Sequence, residues 1–289
     1  MLESLIDPRK VERNFLKMFL VGILYASLSL LFVKWFFSGD AVLSQYSGVI
    51  VVTFSVMFSL PFMYFIIRQE EKEDEEVYGF LGVWNTHKDA IYALMGLFLG
   101  FIIAFSFWYI VLGDSNLFNA QIETYCMINS PGDVSGCVQR YDFSASGISA
   151  STGTGAVTRG MRFFAIIENN VYVMIFTLLL SLIFGAGAMF VLAWNASVIA
   201  AAIAIFTQHQ LKEIPLGLLR YMIHGFPEIT AYFIAALAGG MFGIGVLRNG
   251  VRGRKFLKIL ENTIVLLFLA LIVIILAAVI EVYFTSLIF

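Results

Sequence analysis

The stretch MIHGFPEITAYFIAALAGGMFGIG, residues 222–245, is an apolar, helix-like run interrupted by His224, Gly225, Pro227 and Glu228. An ionisable pair four residues apart, beside a residue that lacks an amide proton, is costly inside hydrocarbon. Such a pair marks either a functional site or a point where polar groups bind one helix to another. The surrounding chain decides that hydrocarbon is the right solvent to consider. Of 289 residues, 60% are hydrophobic and 13% charged, and the mean hydropathy is +0.88. That leaves too little polar surface to solvate a globule of this length. The expected fold class is all-α, a polytopic transmembrane helix bundle of about seven membrane elements in the lipid bilayer, with a short or broken pair at 193–226. The formal net charge of −2 hides strong segregation along the chain, and no basic, aromatic-interleaved segment suggests a nucleic-acid partner.

Five stretches are long enough to cross about 30 Å of hydrocarbon at a rise of about 1.5 Å per residue: Leu16–Phe37, Gly48–Ile67, Ala90–Leu112, Val171–Trp194 and Thr263–Ile288. The first reads as a retained span and not a removable signal, because its apolar run is long and Lys34 and Trp35 close it. Ala193–Phe206 is short, and Gln208–Glu213 is a polar break. Pro215 then suits a first helical turn, and apolar sequence continues to Leu247 with an interruption at the His-Gly-Phe-Pro-Glu step. Lysine and arginine decide the count. With the amino terminus inside and Ala193–Gln208 a crossing, twelve cations fall on the cytoplasmic side: Arg9, Lys10, Arg13, Lys17, Arg68, Lys72, Lys88, Arg248, Arg252, Arg254, Lys255 and Lys258. Arg140, Arg159, Arg162 and Lys212 fall outside. This asymmetry predicts seven crossings of a cell membrane, with the amino terminus cytoplasmic and the carboxyl terminus exoplasmic.

On this topology residues 113–168 form an exoplasmic loop holding both cysteines. Cys126 and Cys137 enclose ten residues, including Pro131, Gly132 and Gly136, which suits a disulfide in an oxidising compartment. Ser144–Gly155, rich in Ser, Gly, Ala and Thr, reads as a linker. Residues 68–89 form an acidic cytoplasmic loop in which Glu70–Glu76 places six acids among seven residues. These acids either attract the cations Arg248–Lys258 or remain a separate solvated face. At the start, Asp7 before Pro8, followed by Val11, Phe15 and Met18, suggests a cytoplasmic interfacial helix over residues 1–15. The exoplasmic loop and the charged cytoplasmic loops are the surfaces open to protein partners.

Small residues set how the spans pack. Gly96 with Gly100, Gly185 with Gly187, and Gly239 with Gly243 allow close helix approach in a compact bundle, and are compatible with a homo-oligomer. Among polar residues at depth, Asn169 and Asn170 open the fourth span, Asn195 follows Trp194 near the expected turn, and His224 and Glu228 share a helix face if the helix persists through Pro227. Pro227 leaves a nearby carbonyl without its usual donor. His224 and Asn195 are candidate partners for Glu228. The cluster is either an ion or proton site or a hydrogen-bonded clasp between helices.

The order Glu168-Asn169-Asn170-Val171, Phe184-Gly185-Ala186-Gly187, Leu192-Ala193-Trp194-Asn195-Ala196-Ser197, His224-Gly225-Phe226-Pro227-Glu228 and Ala238-Gly239-Gly240 resembles the stage II sporulation protein M family of integral membrane proteins. The resemblance runs from about Asn169 to Val246, a family-like core at 169–247, and is weaker around the third span. This chain has Asn195-Ala196 where the family commonly has Asn-Gly. The resemblance implies a membrane scaffold. Bacterial sporulation members look like scaffolds that hold cell-wall hydrolases during engulfment, while relatives, archaeal ones among them, occur without sporulation.

Residue types argue against an enzyme and imply no cofactor. The three histidines, His87, His209 and His224, lie far apart with no metal-binding array. Gly185-Ala186-Gly187-Ala188 offers a glycine turn without a serine nucleophile. The expected function is therefore a membrane scaffold or membrane-organising protein. The alternative is a solute or ion transporter or channel, built from discontinuous helices around His224 and Glu228.

Overall fold

The computed structural model describes residues 14–74, 79–130, 132–141, 159–250 and 253–285. Among them, α1 (Phe15–Phe36), α2 (Ser47–Asp74) and α3 (Gly79–Leu112) precede a short pair, α4 (Asn119–Asn129) and α5 (Val134–Tyr141). Four long helices follow: α6 (Arg159–Phe184), α7 (Ala188–Phe206), α8 (Ile214–Asn249) and α9 (Arg254–Val279), the last ending in a wider turn over Ile280–Thr285. All but α4 and α5 are long and apolar enough to cross a membrane, giving seven spans. The chain is an all-α, multi-pass membrane protein. The bundle has a turn end, where α6 passes to α7 and α8 to α9, and a loop end, where α1 passes to α2, α3 to α4 and α7 to α8.

Three boundaries differ from the sequence reading. The fourth span ends at Phe184, not Trp194, because Gly185 adopts a left-handed φ of 61° and turns the chain within otherwise apolar sequence. A hydropathy window cannot detect a turn made of Gly-Ala-Gly. Residues 188–206 then form a 19-residue helix, about 28 Å long and a full crossing. Second, α8 is one 36-residue helix continuing through Pro227, so the expected break is absent. The carbonyl that Pro227 leaves without its helical donor is that of Ile223, and one turn further on Thr230 Oγ1 donates to Phe226 O at 2.8 Å. Third, most of the expected loop at 68–89 is helical, since α2 reaches Asp74 and α3 starts at Gly79. Residues 1–13, 75–78 and 142–158, which hold most of the proposed interfacial helix, the end of the acidic run and the Ser/Gly-rich linker, lie outside the described residues.

Close packing follows the small residues, with one exception. A Cβ on Gly96 or Gly100 in α3 would collide with the carbonyl oxygens of Phe15 and Phe19 in α1, and Gly22 of α1 meets the same face of α3. On α8, added Cβ atoms would lie 2.6 Å from Leu178 O at Gly239 and 2.5 Å from Leu182 O at Gly243, so α6 and α8 touch backbone to backbone. Gly185 and Gly187 do not pack one helix on another. Gly185 has open space around it, and the atoms nearest a Cβ on Gly187 belong to Leu180 and Phe184, in the last turn of the helix it follows.

At the loop end, α4 and α5 form a hairpin closed by the Cys126–Cys137 disulfide, with Cα atoms 5.7 Å apart and both cysteines buried. Buried Gln121 fastens this hairpin to the bundle, its Nε2 donating to Gly48 O at 3.0 Å and Ser197 Oγ at 3.1 Å. Nearby, Gln208 and His209 hold left-handed φ values of 49° and 60° in the tight α7–α8 connection. The His209 ring packs edge-on against Tyr109, 5.7 Å between centroids, and burial holds its pKa below the ordinary 6.5.

Gly100→Ala is expected to destabilise the protein by roughly 1–3 kcal/mol through overpacking, measured as a lower unfolding midpoint in detergent. Gly132→Ala, which has open space around it, is expected to leave the midpoint unchanged. His209 binds a proton more readily unfolded than folded, so its contribution is complete above pH 6.5 and is lost as pH falls through its lower folded value. His209→Asn, which tolerates left-handed backbone, is expected to flatten the fall in stability below pH 6.5 relative to the native protein.

Candidate functional site

The polar residues of α6, α8 and α9 converge towards the loop end. Asn170 is buried on the face of α6 that meets α8. Its Nδ2 donates to Glu228 Oε1 at 2.7 Å, and its Oδ1 accepts from the Tyr232 hydroxyl at 2.9 Å. Glu228 and Tyr232 are one helical turn apart on α8, so a single amide spans both. The Asn169 amide reaches Asn170 Oδ1 only at 3.4 Å, and its side chain is exposed on the outer face of α6. His224, one turn before Glu228, does not join this network directly. Its Nδ1 lies 3.3 Å from Thr285 Oγ1 at the end of α9. Closing the group, Arg162 of α6 pairs with Glu281 of α9 at 3.6 Å.

Chain length places the cluster in depth. Twenty residues separate Glu228 from Arg248 on the continuous α8, about 30 Å along the helix axis. Arg248 is held at the turn end, where it donates to Glu71 of α2. On α6, Asn170 is fourteen residues before Phe184 at the same end, about 21 Å along the axis, so Glu228 lies well inside the bundle, between its two ends. Asn195 is also outside the cluster, because its Nδ2 donates to Val191 O of its own helix at 2.7 Å.

Sequence reasoning missed Tyr232, Thr285 and Glu281. Two signals were present: Glu281 is the one acid within the Thr263–Ile288 run, and Tyr232 follows Glu228 by four residues. A second polar group lies at the turn end. Besides the Glu71–Arg248 pair, His87 Nδ1 of α3 lies 2.6 Å from Glu70 Oε2 of α2, both side chains being buried. Of the acidic run, Glu71 thus draws in Arg248 near the end of α8, while Glu70 meets His87 of α3. Among the described residues, no set of three or more His, Cys, Asp or Glu could hold a metal ion.

A family model described as stage II sporulation protein M matches residues 90–286. The chain belongs to that family. The match to stage II sporulation protein M takes in most of α3, the disulfide hairpin, both halves of the polar cluster and the final span, and so reaches well beyond residues 169–246. Spans α1 and α2 precede it. Neither the curated proteins nor the solved structures contain a match.

Asn170→Leu leaves Glu228 and Tyr232 without their shared amide, and is expected to lower stability by roughly 1–3 kcal/mol in denaturant titrations of the detergent-solubilised protein. Asn195→Leu, which removes only a bond within its own helix, is expected to cost clearly less.

Proposed function

We propose that this stage II sporulation protein M relative is a membrane scaffold, in which the Asn170–Glu228–Tyr232 network clasps α6 to α8. The observation that carries this reading is how Glu228 is used. Its carboxylate accepts an amide across a helix interface, at a point where Gly239 and Gly243 farther along α8 already bring the two backbones together. A transport carboxylate is expected near midplane, between discontinuous helices, whereas α8 is continuous. The rigid α4–α5 hairpin, covalently closed and anchored by Gln121, supplies a platform for protein contact at the loop end. Its disulfide supports an exoplasmic placement of that end, and the cation asymmetry supports a cytoplasmic amino terminus.

Purified protein in proteoliposomes is expected to conduct protons, sodium and potassium no faster than empty vesicles, while Glu228→Gln and Asn170→Leu lower the unfolding midpoint. Ion flux above the empty-vesicle rate that disappears in a well-folded Glu228→Gln variant would replace the scaffold with a transporter.

A further inference from the structure

The outer face of α6 carries a polar pair where an isolated chain would present only lipid-facing side chains. This helix is the least buried of the seven spans, with 22% of its apolar window inside the bundle. Its exposed stripe runs Met161, Ala165, Glu168, Tyr172, Ile175 and Leu179, the alternating steps of four and three that a second helix can meet. Glu168 lies in the middle of this stripe, with Asn169 beside it. Glu168 is sixteen residues before Phe184, about 24 Å along the axis and within the roughly 30 Å of hydrocarbon. Exposed Phe164 and Met161 lie on one side of it and Tyr172 on the other, so apolar surface flanks the carboxylate in both directions. Within the chain its hydrogen bond is a long one, 3.4 Å from the Tyr172 hydroxyl, and the Asn169 amide has only its own 3.4 Å contact with Asn170. An acceptor and a donor are thus presented side by side, weakly used, on a surface where poorly satisfied polar groups are costly.

We infer that this face of α6 is the interface with a second copy of the same chain, formed by Glu168 and Asn169. The pair is self-complementary. Two copies inserted in the same orientation bring their α6 helices together in parallel, and a stripe residue then inserts among the residues flanking the opposing stripe. Glu168 of one copy thereby meets the Asn169 amide of the other, and the two-fold axis repeats the bond. Hydrogen bonds between polar side chains are a recognised means of joining membrane helices where no hydrophobic force acts between them. The clasp on the inner face is untouched, because Asn170 points towards α8 while Asn169 points away. The inference is independent of the scaffold reading, since a transporter could dimerise through the same face.

Both native cysteines are bonded to each other, so an introduced cysteine is the single free thiol of the full chain. Cysteines at Ala165, Tyr172 and Leu179, and at exposed Phe268 on α9 for comparison, are treated with a short bis-maleimide in proteoliposomes at high dilution in lipid. A product of twice the chain mass is expected at the three α6 positions and not at Phe268. The Glu168→Leu/Asn169→Leu double variant in the Tyr172→Cys background is expected to reduce the product about tenfold, through loss of two symmetric bonds, whereas Glu168→Gln retains it. An unchanged unfolding midpoint in the double variant separates lost pairing from lost folding. Cross-linking at α6 no stronger than at Phe268, or unaffected by the double substitution, would overturn the inference. So would native membranes in which the α6 thiols capture only a different protein.

Discussion

The contact between α6 and α8 is the constraint around which the bundle is organised. Inside hydrocarbon, apolar side chains gain nothing by leaving lipid for one another, so helices stay together through close backbone approach and through polar groups that have no better partner. Both devices act on α8. Gly239 and Gly243 set its backbone against the carbonyls of Leu178 and Leu182. Asn170 joins Glu228 and Tyr232 above that contact, and Arg248 joins Glu71 below it. A helix of 36 residues is thus pinned at two levels and packed by glycine between them, which explains how it tolerates an internal proline.

The same economy recurs on the other side of the molecule. Glycines 22, 96 and 100 bring α1 against α3, and the Trp108 indole donates to Ser27 Oγ at 2.8 Å across that seam. Lys34 and Asp114 then pair where α1 and α3 reach the loop end. Each seam combines a glycine contact in the apolar layer with charge or amide pairing nearer water.

Much of this was legible in the sequence. The spans were visible because hydrocarbon demands long apolar runs, and the disulfide because Cys126 and Cys137 bracket a short loop. Gly96, Gly100, Gly239 and Gly243 sit where helix backbones meet, whereas Gly185 and Gly187 belong to a turn. Nothing in hydropathy distinguishes a glycine needed for left-handed φ from one needed for close approach. The pairing of Glu228 was less accessible. Spacing places His224 and Glu228 on one face of one helix, but which neighbour meets that face depends on the rotation of α6, and that selects Asn170 over Asn169 and Asn195. Proline lowers the expectation of a continuous helix, and only the intact α8 fixes the distance from Glu228 to Arg248.

The anchoring of the α4–α5 hairpin bears on the order in which the protein is built. Gln121 holds Gly48, which precedes it by 73 residues, and Ser197, which follows it by 76. During synthesis the first contact can form as soon as the hairpin is made, but the second must wait until two further spans have entered the membrane. Until then the hairpin is tethered at one point only, and its buried amide lacks one of its two acceptors. Arrival of α7 completes the site, so the seating of a domain encoded in the middle of the chain reports that the carboxyl-terminal half of the bundle has begun to assemble.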